Sequence, residues 1–250
     1  MGKLLHFEFR KLFRQKSFYI CNALLLAFVF LSAAISKLVA ENSEQITEPL
    51  PTAISILRSA LQGANLTLIV GIFVALFVCA DYSDGTIKNI YARGYTRTAV
   101  YFSKLIAVFA AVVVFCGVTW CGGFLSGKLM FETGSGSGAN LFGALLSQLL
   151  TVFGYAGLFF ALAMVIRKTG GSIAACIVGP MLFSLLFTAA DTILNSETFA
   201  LADYWLDGLF GSLVQAGATG ETILTAALLS FIYTAVFTVV GVIFNKRQAV

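Results

Sequence analysis

The residue types that usually carry chemistry are few in this sequence, and their spacing does not suit it. His6 is the sole histidine, so neither an HExxH metal pair nor a nucleophile–histidine–acid set can be assembled in one plane. The cysteines Cys21, Cys79, Cys116, Cys121 and Cys176 contain no CxxC and are odd in number. All sit in apolar runs, where a thiol behaves as a small apolar side chain rather than as a disulfide, metal or redox group. Gly122 to Lys128 reads GxxxxGK, but Leu129 stands where a phosphate loop needs the Ser or Thr that meets magnesium. Gly134-Ser135-Gly136-Ser137-Gly138 reads as a flexible linker, not a dinucleotide fingerprint. Asn65-Leu66-Thr67 fits a glycosylation triplet but falls inside an apolar run. The expectation is a chain with no catalytic residue, no metal ligand and no cofactor of its own.

Composition explains this scarcity. Of 250 residues, 59% are hydrophobic and 11% charged, and the mean hydropathy is +0.91. A soluble domain has about 25% charged residues. An integral helical membrane protein is implied, and disordered, disulfide-scaffold and soluble nucleic-acid-binding classes are excluded. The apolar runs are continuous rather than alternating, which argues against a membrane β-barrel. A bilayer core takes about 20 apolar residues of helix. Such windows are Phe18–Ser36, Leu61–Ala80, Leu105–Ser126, Leu141–Ile166, Gly171–Ala190 and Thr222–Phe244, none holding Asp, Glu, Lys or Arg. The fourth and fifth are joined so tightly that Gly170-Gly171 is expected to break the helix there. The chain reads as one transmembrane domain, 1–250, with an uncleaved first span.

The windows sort the charges. Residues 1–17, 81–104, 167–170 and 245–250 hold thirteen of the sixteen basic residues and only three acids, Glu8, Asp81 and Asp84. The net is +10 on that side and −6 on the other. By the positive-inside rule both termini are cytoplasmic. Charge this polarised across a membrane is no sign of nucleic-acid binding.

Two cytoplasmic segments stand out. In residues 1–17, Leu5, Phe9, Leu12 and Phe13 fall on one helical face, with Lys3, Arg10 and Arg14 opposite. The pattern predicts an amphipathic helix in the headgroup plane, a plain topology-setting basic flank being the simpler alternative. In residues 81–104, Ser83 or Asp84 can cap a short helix from Thr86 to Arg93, with Gly94 at its C′ position. Thr96 can cap the helix that continues into the third span. Ile87, Ile90 and Tyr91 share one face, rimmed by Lys88, Arg93 and Arg97. With no membrane to cover it, that face predicts a docking knob for another protein, or else a solvated connector.

Here the sequence resembles a known family. Asp81-Tyr82-Ser83-Asp84-Gly85-Thr86-Ile87-Lys88-Asn89-Ile90, then Arg93-Gly94-Tyr95-Thr96-Arg97, then Tyr101-Phe102-Ser103-Lys104-Leu105 is similar to the loop after the second span of type-2 ABC exporter permeases, including those of peptide or antibiotic export and immunity. The stretch from Phe7 to Arg14 resembles that family's N-terminal interface helix. The resemblance implies a half-size bacterial plasma-membrane permease with a separate ATPase subunit in two copies. It implies a second permease chain, identical or related, with ATP and magnesium held by the ATPase alone. Thr86–Arg93 would be the coupling helix. Asp84, Gly85, Thr86, Ile87, Lys88, Ile90, Tyr91, Arg93 and Arg97, with Phe9, Arg10 and Phe13, would meet the ATPase.

On the outer side, residues 191–221 mix Phe199, Tyr204, Trp205, Leu209 and Phe210 with Asp203 and Asp207. Aromatic residues favour the membrane interface, so one or two short re-entrant or interfacial helices are expected before the last span. The resemblance places re-entrant helices there too. Pro180 is expected to kink the fifth span, which also carries Gly171, Ala175 and Gly179 for close packing. Asn22, Asn65, Gln148 and Thr151 are the polar candidates for lining a pathway. The expected fold is all-α with six spans, and the expected function is ATP-driven export of an amphipathic peptide or lipophilic compound. Competing readings are an ion-coupled transporter, disfavoured because the windows hold no ionisable group, and a non-transporting scaffold.

Overall fold

A computed structural model describes residues 2–42, 53–131, 140–194, 200–214 and 219–247. The described residues are almost wholly helical: α1 (Gly2–Arg14), α2 (Lys16–Asn42), α3 (Ala53–Ser59) with a 3-10 turn Ala60–Gln62, α4 (Ala64–Ser83), α5 (Thr86–Ala92), α6 (Arg97–Met130), α7 (Leu141–Ile166), α8 (Thr169–Leu194), α9 (Leu201–Tyr204), α10 (Leu206–Val214) and α11 (Gly220–Arg247). Six of them, α2, α4, α6, α7, α8 and α11, are long and apolar enough to cross a membrane. They contain the six apolar windows almost entirely, and α7 coincides with its own. The protein is an all-α, multi-pass membrane protein. The start of α1 and the end of α11 lie at one face of the helix assembly, the terminal face; the opposite one is the far face. The Gly134–Gly138 linker and Phe199 lie outside the described residues.

The helices are not equivalent. In α4 and α7, 67% of the apolar window is buried within the chain, against 11% in α2, α8 and α11. The inner pair and α6 build a core of Phe73, Phe77, Phe115, Tyr155, Phe159 and Phe160, all fully buried. Outside it, Leu182, Leu185 and Leu186 of α8 and Leu228 and Phe231 of α11 remain exposed, as lipid-facing side chains should. Polar groups inside are tied between helices. Gln148 accepts from Trp120 Nε1 at 2.6 Å and donates to the Ala60 carbonyl at 3.0 Å. Ser147 donates to the Ile223 carbonyl, and the Thr151 and Ser230 hydroxyls lie 2.8 Å apart. Without water, each such group needs a protein partner.

Two junctions differ from expectation. The α7–α8 turn is made by Arg167, left-handed at φ 59°, and not by Gly170-Gly171, which lie inside the first turn of α8. Arg167 is held there by stacking on Tyr82, 5.2 Å from the ring centroid. On the far face, α3 and its 3-10 turn pack beside α6 before α4 starts, a pair of elements too short to leave a clear period in the sequence. Gly63 joins them to α4 at φ 71°, under the ring of Phe210, where a side chain would be strained and crowded. Pro180 does lie inside α8.

Between α8 and α11 the chain folds into a V. α9 runs in, Trp205 forms the apex, and α10 runs out. The Asp191 carboxylate accepts from the Leu201 and Ala202 amides at 2.6 and 2.8 Å, fixing the entry. The Trp205 ring lies 5.2 and 5.1 Å from Phe183 and Phe187 of α8 and 5.5 Å from Tyr233 of α11. Leu206, Leu209, Phe210 and Leu213 are buried, at helical spacing.

Candidate functional site

Four ionisable side chains meet beneath the terminal face. Lys104, seven residues into α6, is fully buried and lies 2.9 Å from Glu8 of α1. It also donates a short bond to Asp81 near the end of α4. Lys11 of α1 donates to Asp81 Oδ1 at 2.6 Å and to the Phe77 carbonyl at 3.1 Å, with its ammonium 4.6 Å from the Phe77 ring centroid. Glu8 is fully buried, and no well-directed hydrogen bond reaches either carboxylate oxygen among the described residues. Two carboxylates and two ammonium groups leave the cluster neutral. Burial and the neighbouring Lys104 ammonium pull Lys11 below the usual lysine range, with Asp81 opposing in part.

The cluster clamps α1 to α4 and α6, and it sets which face of α1 points inward. Leu4, Glu8 and Leu12 are buried, a stripe at i, i+4 and i+8. The expected apolar stripe is therefore split. Leu12 belongs to the protein core, Leu5 and Phe9 are half-buried, and Phe13 is 49% exposed, its ring meeting Phe18 edge-on at 5.8 Å. A buried carboxylate outweighed the more apolar face because Lys104 of α6 waits opposite it. Arg10 stays exposed.

The loop after α4 folds as a short helix, with different caps. No side-chain cap bond is made at the start of α5; Gly85 takes the N-cap position in the left-handed region, and Ser83 instead donates back to the Cys79 carbonyl. Gly94, at φ 83°, closes the helix as expected, and Thr96 accepts from the Ala99 amide at 3.3 Å.

The knob itself is overturned. Ile87 and Ile90 are only 3% and 7% exposed. They pack with Leu4 of α1 and Val100 of α6, and Tyr82, Tyr91 and Tyr95 pack around that group. The chain covers its own knob because α1 folds beside α5, a contact that a loop-by-loop reading cannot see. On α5 and at its ends the exposed side chains are Asp84, Lys88, Asn89 and Arg93, with the small Ala92. Thr86, Tyr91 and Arg97 are half-buried. Between α1 and α5 lies an open cleft of about 340 Å³, with Leu4, Phe7 and Ile90 below and Lys3, Asn89 and Arg93 around it.

The pathway candidates separate. Gln148 and Thr151 are fully buried ties between helices, so neither lines an opening in this chain. Asn22 is half-buried and donates to the Phe18 carbonyl of its own helix. Asn65 is exposed and borders a cavity of about 290 Å³ with Ser32, Ser36, Ser59, Gln62 and Thr119. Among the described residues no group of His, Cys, Asp and Glu could hold a metal ion.

The model of one protein family, described as ABC-2 family transporter protein, matches residues 4–191. That stretch runs from the first turn of α1 to three residues short of the end of α8. It includes the whole charge cluster, α5 and the cleft. The chain belongs to the ABC-2 transporter family. Among curated proteins, none matches it. In this ABC-2 permease the V of α9 and α10 lies beyond the matched residues, as does α11.

The sequence missed the cluster for a stateable reason. Asp81 and Lys104 sit just outside the apolar windows, where they pass for flanking charges, and Glu8 lies far from both in the chain. The spacing of Leu4, Glu8, Lys11 and Leu12 on one helical face was the available signal.

Proposed function

We propose that this ABC-2 permease forms half of an ATP-driven exporter, the terminal face being cytoplasmic and engaged by a separate ATPase subunit. The observation that carries this is the buried Glu8–Lys11–Asp81–Lys104 cluster together with the caged α5. Through them α1, the end of α4, α5 and the start of α6 form one stiff block, continuous with three membrane helices. A push on α5 is passed to α4 and α6 rather than absorbed by a loop. The charge partition supports the orientation, and the matched family supports the transport role.

The burial of Ile87 and Ile90 changes the expected docking chemistry. The ATPase contacts fall to Asp84, Lys88, Asn89 and Arg93, and to the cleft between α1 and α5. Its cationic rim and apolar floor suit a segment bearing a carboxylate beside an apolar side chain. Two ATPase copies would bind ATP and magnesium and, on closing, move the blocks of two permease chains, so that an amphipathic or lipophilic cargo passes between them. Exposed ion pairs give under about 1 kcal/mol, but reversed charges facing a complementary surface cost more.

The test is to isolate the tagged chain from its own membranes and measure magnesium-dependent ATP hydrolysis in the isolated material. The native chain should bring hydrolysis with it. A Lys88→Glu, Arg93→Glu double variant, with both positions on the surface, should insert normally and lose most of that activity. Hydrolysis undiminished in the double variant would remove α5 from the interface.

A further inference from the structure

An aspartate lies deep in the membrane on the V between α8 and α11. Tyr155 of α7 donates a hydrogen bond to Asp207 Oδ1 and stacks its ring on Phe210, centroids 5.8 Å apart and planes 2° from parallel. At 1.5 Å per residue, Tyr155 is about 21 Å along α7 from its far-face end. A second helix gives the same depth. Tyr233, which donates to the Tyr204 carbonyl at the V's apex, is about 20 Å along α11 from Gly220. Both helices outrun a bilayer core of about 30 Å, so the two tyrosines fall near its middle and Asp207 lies within it. Tyr155 is fully buried, yet Asp207 is exposed.

An exposed carboxylate at this depth does not face acyl chains; such groups face water-filled cavities, partners or cargo. Its hydrogen bond leaves one oxygen without a protein donor, and no ion-pair partner is found among the described residues. The apolar windows of an identical second chain would bring no Lys or Arg to this level. Beside the V a cavity of about 630 Å³ carries Asp203 and Glu221 on its wall, with Ser212 and Thr222. A cleft lined by charges of one sign concentrates counter-ions.

We propose that Asp207, oriented by Tyr155, faces the translocation route and recognises a positively charged group on the cargo. The cargo is then an amphipathic cation, whose charge meets Asp207. This rests on the transport reading above and names its substrate class.

The experiment uses the whole chain, with its co-isolated ATPase, in lipid nanodiscs. Its ligands are tetraphenylphosphonium and tetraphenylborate, matched in shape and opposite in charge. The native chain should bind the cation saturably. Asp207→Asn, which retains an acceptor for Tyr155, should weaken cation binding by at least about tenfold and leave the anion unchanged. Asp207→Glu should restore it. The proposal is overturned by absent saturable cation binding, by equal binding in Asp207→Asn, or by equal loss for both ions. ATP hydrolysis by the native chain in the same preparations reads out the transport assembly separately. As an independent check, Asp207→Cys in a chain freed of its native cysteines should react with an impermeant cationic thiol reagent added at the far face, and tetraphenylphosphonium should slow the reaction. A cysteine that never reacts is covered by lipid or protein, which also ends the proposal.

Discussion

Lys104 shows what a single residue does in this chain. Its ammonium lies 2.9 Å from Glu8, a fully buried carboxylate, and it also holds Asp81. Removing one member of a buried charge set costs about 3–5 kcal/mol, because its partner is left charged in an apolar setting. Lys104→Met should therefore lower the thermal unfolding midpoint in detergent sharply. The added change Glu8→Gln should recover part of that loss, since it removes the stranded charge. A double variant no more stable than Lys104→Met would mean that the two groups do not interact. Only the shared face of Leu4, Glu8, Lys11 and Leu12 was legible in the sequence. Hydropathy windows end where charges begin, so they record Asp81 and Lys104 as boundaries. That two boundaries and a helix from the start of the chain converge is a tertiary fact, set by packing between distant residues.

At the scale of elements, the spans were the most legible feature and the faces of the short helices the least. A span declares itself because about 20 apolar residues have no other use. The helix α1 had two plausible inward faces, and the choice between them depended on Lys104. A paired substitution reads that choice directly. Leu12→Asp puts a carboxylate into the core, where an unpaired charge is not tolerated, and should prevent stable folding. Phe13→Asp alters an exposed side chain and should leave the unfolding midpoint nearly unchanged while loosening α1 from lipid. Protease access to the N-terminus reads the second effect. Equal midpoints for the two variants would show that α1 lies on the membrane without docking. The caps show the same division. Thr96 and Gly94 were readable, because each acts within one turn. The start of α5 was not, because Ser83 is still inside α4 and bonds back along it.

At the scale of the whole molecule, the six spans and the sorted charges make the orientation testable. Cysteine introduced at Asn89, exposed on the terminal face, should stay unlabelled by an impermeant thiol reagent applied to intact cells. Cysteine at Thr219, exposed on the far face, should label. The opposite pattern would invert every statement about which side meets the ATPase. The two short helices before the last span were legible through their aromatic residues, but the V they form was not. Asp207, on a segment that no apolar window contains, is bonded to Tyr155 inside a span, so the absence of ionisable groups from the windows is not by itself an argument against ion coupling.

The turn at Arg167 has a consequence for how the protein is made. Only Arg167 and Lys168 separate α7 from α8, too few residues to cross a bilayer or to leave one arm waiting outside it. The two arms therefore enter the lipid as a single hairpin during synthesis. α7 is the arm that carries Gln148, Thr151 and Tyr155 inward, and α8 is apolar enough to partition into lipid on its own account. The hairpin thus carries Thr151 and Tyr155 to a depth at which Ser230 and Asp207, their partners further along the chain, are still to arrive.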